Sequence, residues 1–119
     1  MINITGQVQE IVQGKGIKKG ICHIFIPHTT AAVTINENAD PDVPRDMIKT
    51  LDKLIPLHGD YRHAEGNSAA HVKASLIGAS QTVFIDEGRL VFGTWQSLFF
   101  CEFDGPRTRR VIVKALSSE

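Results

Sequence analysis

Residues 82–116, TVFIDEGRLVFGTWQSLFFCEFDGPRTRRVIVKAL, decide the fold, because β-branched and aromatic residues alternate there with turn formers. Asp86-Glu87-Gly88 is a hairpin signal, and Asp104-Gly105-Pro106 predicts a second turn. The spacing predicts four strands, at residues 82–85, 89–92, 95–103 and 110–116. This part of the chain therefore predicts a mostly antiparallel sheet.

Two further strands are predicted upstream. Residues 21–26 (ICHIFI) end at Pro27, and residues 31–35 (AAVTI) follow after the short polar break PHTT. Because the break is short, we expect the two strands to be adjacent. His28 lies in this break, close to the end of the first strand.

Three helices are predicted from the spacing of apolar residues. They are expected over residues 5–13, 43–54 and 67 or 68 to 77. Thr5 is the candidate N-cap of the first helix, and Asp40 or Asp42 that of the second. Gly78 is the expected stop of the third. Strands linked both by helices and by hairpins favour an α+β fold with helices packed on one sheet.

Length and composition restrict the class of protein. The chain has 119 residues, which fits one domain over residues 1–119, and 42% hydrophobic with 22% charged residues is typical of a soluble globular protein. Formal net charge is zero, so we expect no nucleic-acid partner, and Arg107, Arg109 and Arg110 are interpreted as a solvated or salt-bridged edge. No apolar run approaches the ~20 residues that span a bilayer, so no membrane partner is expected either.

The compartment is predicted from two further features. Cys22 and Cys101 lie far apart and outside any CxxC spacing, so both are predicted to be buried, unpaired thiols in a reducing compartment. The first ten residues, MINITGQVQE, do not have the pattern of a signal peptide. We therefore expect a cytoplasmic protein.

Histidines mark the candidate site. His58, His63 and His71 lie within fourteen residues, in HGDYRHAEGNSAAH, and His28 follows a predicted strand. Neutral imidazole is a common metal ligand and an acid–base group near neutral pH. The spacing matches no strong zinc signature, and a histidine alone is more often a surface or hydrogen-bonded core residue. The cluster nevertheless predicts a joint site in the loop before the third helix.

Other polar residues are weaker candidates. Glu37 follows a strand and has no capping role, so it ranks above Asp40 and Asp42 as a functional carboxylate. Lys73 either extends past small alanines to water or binds an anion near the start of its helix. Glu102 lies at the end of an otherwise apolar strand face, which indicates a rim or an interface.

Three long segments carry a resemblance to a known family. They are HTTAAVTINENADPDVPRDM (28–47), YRHAEGNSAAHVKASLIG (61–78) and GRLVFGTWQSLFFCEFDGPRTRRV (88–111). Together they resemble the YjbQ family, also called the UPF0047 or secondary thiamine-phosphate synthase family. The resemblance extends from about Ile21 to Leu116 and implies an α+β subunit with a curved, barrel-like sheet and about three helices, assembled as a homotrimer. Relatives usually carry an extra strand before the segment that opens here at Met1, so a sheet edge is expected to need cover.

The resemblance also implies a polar cavity and roles for matched residues. The implied catalytic residues are Glu37, Glu65, His71 and Lys73. The implied substrate-binding residues are Thr30, Asn36, Asn67, Thr94, Gln96 and Arg110. A divalent metal, zinc or magnesium, is implied at His28, His63 and His71. Further motif matches are Asp40, Gly93, Trp95 and Glu102.

Three functions remain open. The first is an enzyme that joins a pyrimidine pyrophosphate to a thiazole phosphate, giving thiamine phosphate and pyrophosphate. The second is a metal-dependent hydrolase that uses metal-bound water. The third is a non-catalytic trimer that binds a small molecule or a metal.

Overall fold

The computed structural model describes residues 1–119 and contains three helices and seven strands. The strands are β1 (Ile2–Asn3), β2 (Gly20–Phe25), β3 (Ala31–Glu37), β4 (Ser80–Asp86), β5 (Arg89–Leu90), β6 (Gln96–Glu102) and β7 (Ile112–Ser117). The helices are α1 (Thr5–Gly14), α2 (Asp42–Leu54) and α3 (Ser68–Ile77). The predicted α+β class and the three helices are therefore confirmed. No helix combines the length and the apolar content of a transmembrane span.

The strands form two antiparallel sheets rather than one barrel. One sheet has the order β1-β6-β3 and the other the order β5-β4-β2-β7. The barrel-like arrangement that the resemblance implies is not a closed barrel, because neither sheet closes on itself. The expected adjacency of β2 and β3 is wrong, since β4 and β7 occupy the two edges of β2. The chain crosses between sheets in the 26–30 segment, where the Ile26 amide donates to the Ala79 carbonyl oxygen at 2.7 Å.

The β4–β5 hairpin forms where the sequence predicts it. Glu87 and Gly88 occupy the turn with φ of 51° and 77°, and type I′ turns need positive φ at both central residues. The second strand is shorter than predicted. It ends at Leu90 because the chain turns toward β6, where the Gly93 amide donates to Gln96 Oε1 at 2.8 Å.

The main core lies between the two sheets and is closed by α1. Alternate residues of each strand point inward, so that Ile24 of β2 and Leu98 of β6 are both fully buried. Val12 of α1 joins them. Thr5 is not the N-cap of α1, because its Oγ1 accepts the Leu98 amide at 2.8 Å and thereby ties the helix start to β6.

Strand β6 is buried on both faces. Phe99 and Cys101 point away from the main core, yet only 3% and 2% of their surfaces are exposed. Helix α3 packs on this side of the smaller sheet through buried alanines, whose small side chains permit close approach. The predicted burial of both unpaired cysteines is confirmed, and burial raises the pKa of the Cys101 thiol to about 11.

Helix α2 packs weakly against the rest of the chain. None of its residues is buried, although apolar side chains line one of its faces. Its polar link to the body is an ion pair between Asp52 and Lys73 of α3. The radius of gyration is 15.7 Å, whereas a compact domain of this length has about 13.5 Å. The subunit is thus extended, and the apolar face of α2 is only partly covered.

Candidate functional site

A cavity of about 700 Å³ opens where β2 ends and β3 begins. This volume lies in the range of small-molecule sites. The segment after β2, the loop before α3, the first turn of α3 and the segment before β7 form its wall. Its ionisable lining groups are three imidazoles, two guanidinium groups and one carboxylate: His28, His63, His71, Arg107, Arg109 and Glu65.

The structure brings three of the predicted histidines into this one cavity, without His58. His63 on the loop and His71 on α3 meet edge to face, with ring centroids 5.4 Å apart. His63 Nε2 lies 3.8 Å from Glu65 Oε2, which forms an ion pair when the imidazole is protonated. His28 is held separately, because its Nε2 accepts the backbone N–H of Arg110 at 2.9 Å.

This arrangement fits a metal ion only in part. Two imidazoles on one tetrahedral zinc, with Zn–N bonds of ~2.0–2.1 Å, have centroids roughly 5 Å apart, close to the separation of His63 and His71. His28 does not complete the set, since its Nε2 lone pair is engaged by Arg110. No group of three or more His, Cys, Asp or Glu side chains is arranged to hold an ion. Metal binding by all three histidines would therefore need the His28–Arg110 bond to break.

A buried ion pair forms part of the cavity wall. The Arg109 side chain is 8% exposed, its Nε donates to Glu102 Oε1 at 2.8 Å, and its Nη2 donates to Glu102 Oε2 and, at 2.9 Å, to Thr30 Oγ1. The hydrogen bond from Arg109 lowers the pKa of the Glu102 carboxyl, against the effect of burial, and the same bond raises the pKa of Arg109. Both groups therefore stay charged at neutral pH. The predicted salt-bridged edge is confirmed here and at Arg107, which pairs with Asp104.

Asn67 connects α3 to the turn after β6. Its Nδ2 donates to Asp104 Oδ2 at 2.9 Å, so the side chain does not cap α3 although the residue lies at the N-cap position. Its Oδ1 is buried and has no hydrogen-bond partner. Asp104 Oδ2 also accepts from Arg107 at 2.9 Å, which links the loop, the helix and the turn on one side of the cavity.

Lys73 lies outside the cavity lining. Its Nζ donates to Asp52 Oδ1 and lies 5.9 Å from the ring centroid of Phe103. Only 12% of its side chain is exposed. The ammonium is therefore used to join α2 to α3, and its proposed role toward an anion stays a prediction.

Four other predicted residues lie at the far end of the smaller sheet. Asn36 and Glu37 end β3, opposite Ser97 and Gln96 of β6, and Thr94 lies just before that strand. Thr30 precedes the other end of β3, roughly 20 Å away for six residues of extended chain. Within one subunit these residues do not line the cavity with the histidines.

Arg109 was not predicted as a site residue, whereas its neighbour Arg110 was. The Arg110 side chain is exposed and makes no side-chain hydrogen bond, while its backbone holds His28. Glu102 was the available signal, since a carboxylate at the end of an apolar strand face needs a cation nearby. That signal does not distinguish Arg109 from Arg110, and only the fold brings Arg109 beside Glu102.

Known proteins match the chain over nearly its whole length. The family model described as "UPF0047 protein YjbQ-like" matches residues 1–118. The UPF0047 protein YugU of Bacillus subtilis is 53% identical over 117 residues, covering 98% of this chain and 89% of that protein. The UPF0047 protein MJ1081 of Methanocaldococcus jannaschii is 48% identical over 119 residues, covering 100% of this chain and 86% of that protein.

Solved structures agree with these matches. An uncharacterised conserved protein of the YjbQ/UPF0047 family from Clostridium acetobutylicum has a TM-score of 0.95 at 56% identity, covering 97% of this chain and 89% of its own. A YbjQ-like protein of unknown function from Sulfolobus solfataricus has a TM-score of 0.93 at 38% identity, covering 98% and 86%. The chain belongs to the YjbQ-like UPF0047 family.

Proposed function

We propose that the cavity binds phosphorylated small molecules and joins a pyrimidine pyrophosphate to a thiazole phosphate, releasing pyrophosphate. The observation that carries this proposal is the composition of the cavity wall, in which three imidazoles and two guanidinium groups face a single lining carboxylate, Glu65. The thiamine-phosphate chemistry itself comes from the family resemblance. Relatives with solved structures are described as uncharacterised or of unknown function, so the reaction needs its own test.

The reaction requires the protein to position the two substrates and to stabilise the charge of the leaving group, and it needs no covalent intermediate with the protein. The thiazole nitrogen attacks the pyrimidine methylene carbon, the bond from that carbon to the pyrophosphate oxygen breaks, and pyrophosphate leaves with the electron pair. Donors aimed at the leaving oxygens stabilise the developing negative charge. His63 and His71, adjacent on one side of the cavity, are suited to donate to those oxygens, and the cavity orients the two rings.

A divalent ion is a second way to stabilise the same charge. His63 and His71 would hold it, with Glu65 beside them, and the ion would neutralise phosphate oxygens when bound. The pair's centroid separation of 5.4 Å supports this arrangement. If the ion instead activated water, the same residues would support the hydrolase that the sequence leaves open.

Purified protein given both substrates should form thiamine phosphate, and the His63→Ala, His71→Ala double variant should lose at least a hundredfold in turnover. Loss of two donors to a transition-state charge supports this size, since one oxyanion donor contributes ~10²–10³. Chromatographic detection of thiamine phosphate with and without a chelator makes the measurement. His58→Ala is the matched control, because His58 lies outside the cavity lining.

Three outcomes would contradict the proposal in different ways. Equal product from wild type and the double variant would remove the histidines from the chemistry. Release of phosphate from generic esters, abolished by the chelator, would favour the metal-dependent hydrolase. Saturable ligand binding without any product would favour the non-catalytic binding protein.

We also propose that the subunit assembles as a homotrimer. The number of subunits comes from the family resemblance, and the outer face of the four-stranded sheet supports self-association. There Phe84, Ile21 and Leu116 are register neighbours across three strands, and all three are exposed. Apolar patches of this kind on a small protein are usually interaction surfaces. A trimer would also provide a way for Glu37 to approach a neighbour's cavity.

Phe84→Glu should convert the assembly to monomers. A carboxylate at a position that is 69% exposed in the subunit costs little in the monomer, whereas burying it between subunits is strongly unfavourable. Sedimentation velocity should give three times 13.1 kDa for wild type and 13.1 kDa for the variant. Gln13→Glu adds the same charge on α1 and should leave the trimer intact. A wild type that sediments as a monomer would contradict the proposal.

A further inference from the structure

We propose that Arg109 and His28 form one oxyanion subsite in the cavity wall, and that Glu102 and the backbone of Arg110 hold these two donors in place. The inference rests on the proposed function, because the oxyanion it binds is the phosphate or pyrophosphate group of the substrate. In this proposal Arg109, rather than Arg110, binds the oxyanion, and His28 donates a hydrogen bond to it.

Arg109 is anchored from one side and open on the other. Its Nε and Nη2 atoms are engaged by Glu102 and Thr30, while its Nη1 donates to no protein atom. Nη1 is not fully buried either, since Asn67 Oδ1 is the single fully buried side-chain polar atom without a partner. Arg109 is one of the residues that line the cavity, and Nη1 is its one side-chain nitrogen without a protein acceptor.

His28 is fixed in the tautomer that makes it a donor. Its Nε2 accepts the backbone N–H of Arg110 at 2.9 Å, so that nitrogen carries no proton. A neutral imidazole then carries its proton on Nδ1, which donates. No protein acceptor takes this proton, and His28 lines the same cavity as Arg109.

The two donors belong to one rigid unit. Thr30 follows His28 by two residues, and Arg110 follows Arg109 directly, so two hydrogen bonds clamp the same pair of chain segments together. Donors held before the ligand arrives need no reorganisation when they bind it. Glu102 neutralises much of the charge of Arg109, so we expect donor geometry rather than net charge to determine affinity.

Glu102 is a positioning residue in this arrangement. It accepts from Arg109 with both carboxylate oxygens, a bidentate pairing that fixes the plane of the guanidinium group. The Asp104 amide donates to Glu102 Oε2 at 3.0 Å and holds the carboxylate in turn. A lysine at position 109 would keep the charge but not the fork, so the geometry predicts that it does not restore binding.

The test is calorimetric titration with inorganic pyrophosphate and, separately, with inorganic phosphate. Arg109→Gln should weaken pyrophosphate binding about tenfold to a hundredfold, the loss of one charge-assisted donor. Arg109→Lys should show a similar loss. Arg45→Gln removes an exposed arginine on α2 and should bind as wild type does. Thermal unfolding must show that each variant is folded at the temperature of the titration.

A second measurement needs no variant. The ring ¹⁵N shifts of His28 near neutral pH should show the proton on Nδ1, with the Nε2 shift typical of an acceptor. Pyrophosphate should then move the Nδ1 signal. A proton on Nε2 would overturn the subsite, even if Arg109→Gln failed to fold.

The outcomes separate this inference from the proposed function. Binding that depends on Arg109 without any product would leave the subsite standing and reject the synthase. Normal turnover by a folded Arg109→Gln variant would reject the subsite and leave the synthase standing. An equal loss of binding in Arg110→Gln, or no binding of either anion by wild type, would also overturn the subsite.

Discussion

Glu102→Gln is expected to lower the free energy of unfolding by about 3 kcal/mol, because it leaves the Arg109 guanidinium charged and largely buried without its counterion. The Arg109 side chain is 8% exposed, and Glu102 supplies two of its acceptors. Glutamine keeps one oxygen to accept a hydrogen bond but has no charge. Urea-induced unfolding at neutral pH measures the difference.

The same variant should change how stability depends on pH. The pKa of Glu102 is lower in the folded protein than its ordinary value, so the carboxylate contributes stability above the unfolded pKa of about 4.3. That contribution is lost as the pH falls through the folded pKa. The difference in the free energy of unfolding between wild type and Glu102→Gln should therefore become smaller as the pH is lowered below about 4.

Glu65→Gln is the matched control for this change. The Glu65 side chain is 75% exposed and its Oε2 lies 3.8 Å from His63 Nε2, so loss of its charge should cost less than about 0.5 kcal/mol. Equal destabilisation by the two variants would show that the buried pair has no special role in folding.

Leu98→Ala is expected to lower the free energy of unfolding by about 3 to 4 kcal/mol. Leu98 is fully buried between the sheets, so truncation removes its hydrophobic contribution and leaves a cavity. Its backbone is fixed to the start of α1, because its amide donates to Thr5 Oγ1 and its carbonyl oxygen accepts from the Ile4 amide at 2.9 Å. The surrounding core therefore has little freedom to collapse.

Leu76→Ala makes the same chemical change on the surface of α3. Leu76 is 62% exposed, and alanine has the higher helix propensity, so the variant should stay within about 0.5 kcal/mol of wild type. Chemical denaturation of both variants at one protein concentration gives the comparison. A Leu98→Ala protein as stable as Leu76→Ala would contradict the position of the core.

Two features set by local chemistry were predicted correctly from the sequence, although the predicted Thr5 N-cap was wrong. Helix α3 begins after Asn67 and stops at Gly78, whose φ of 106° suits glycine. The β4–β5 turn follows from Glu87-Gly88 in the same way. In each case the signal and the structure it determines lie within a few residues of one another.

Pairings between distant residues were not predictable in the same way. A short break between β2 and β3 suggested neighbours, but the partners of β2 are strands at least fifty residues further along the chain. The sequence left two roles open for Lys73, a side chain that extends to water or one that binds an anion. The structure shows a third, an ion pair between α3 and α2 with Asp52. One separation was predictable: Thr30 immediately precedes β3 and Glu37 is its last residue, and an extended strand holds its ends apart.

The choice between Arg109 and Arg110 depended on information that the sequence lacks. Both arginines follow the turn after β6 in irregular chain, where no period of two or 3.6 assigns side chains to a face. Only the return of that segment to the start of β3 decides which guanidinium points inward.

The contact between Arg110 and His28 uses a backbone group of Arg110 and not its side chain. The donor is the backbone N–H, which nineteen of the twenty amino acids possess and proline alone lacks. The contact itself therefore does not depend on the side chain at position 110. Substitution by proline would remove the donor, whereas substitution by any other residue would keep it.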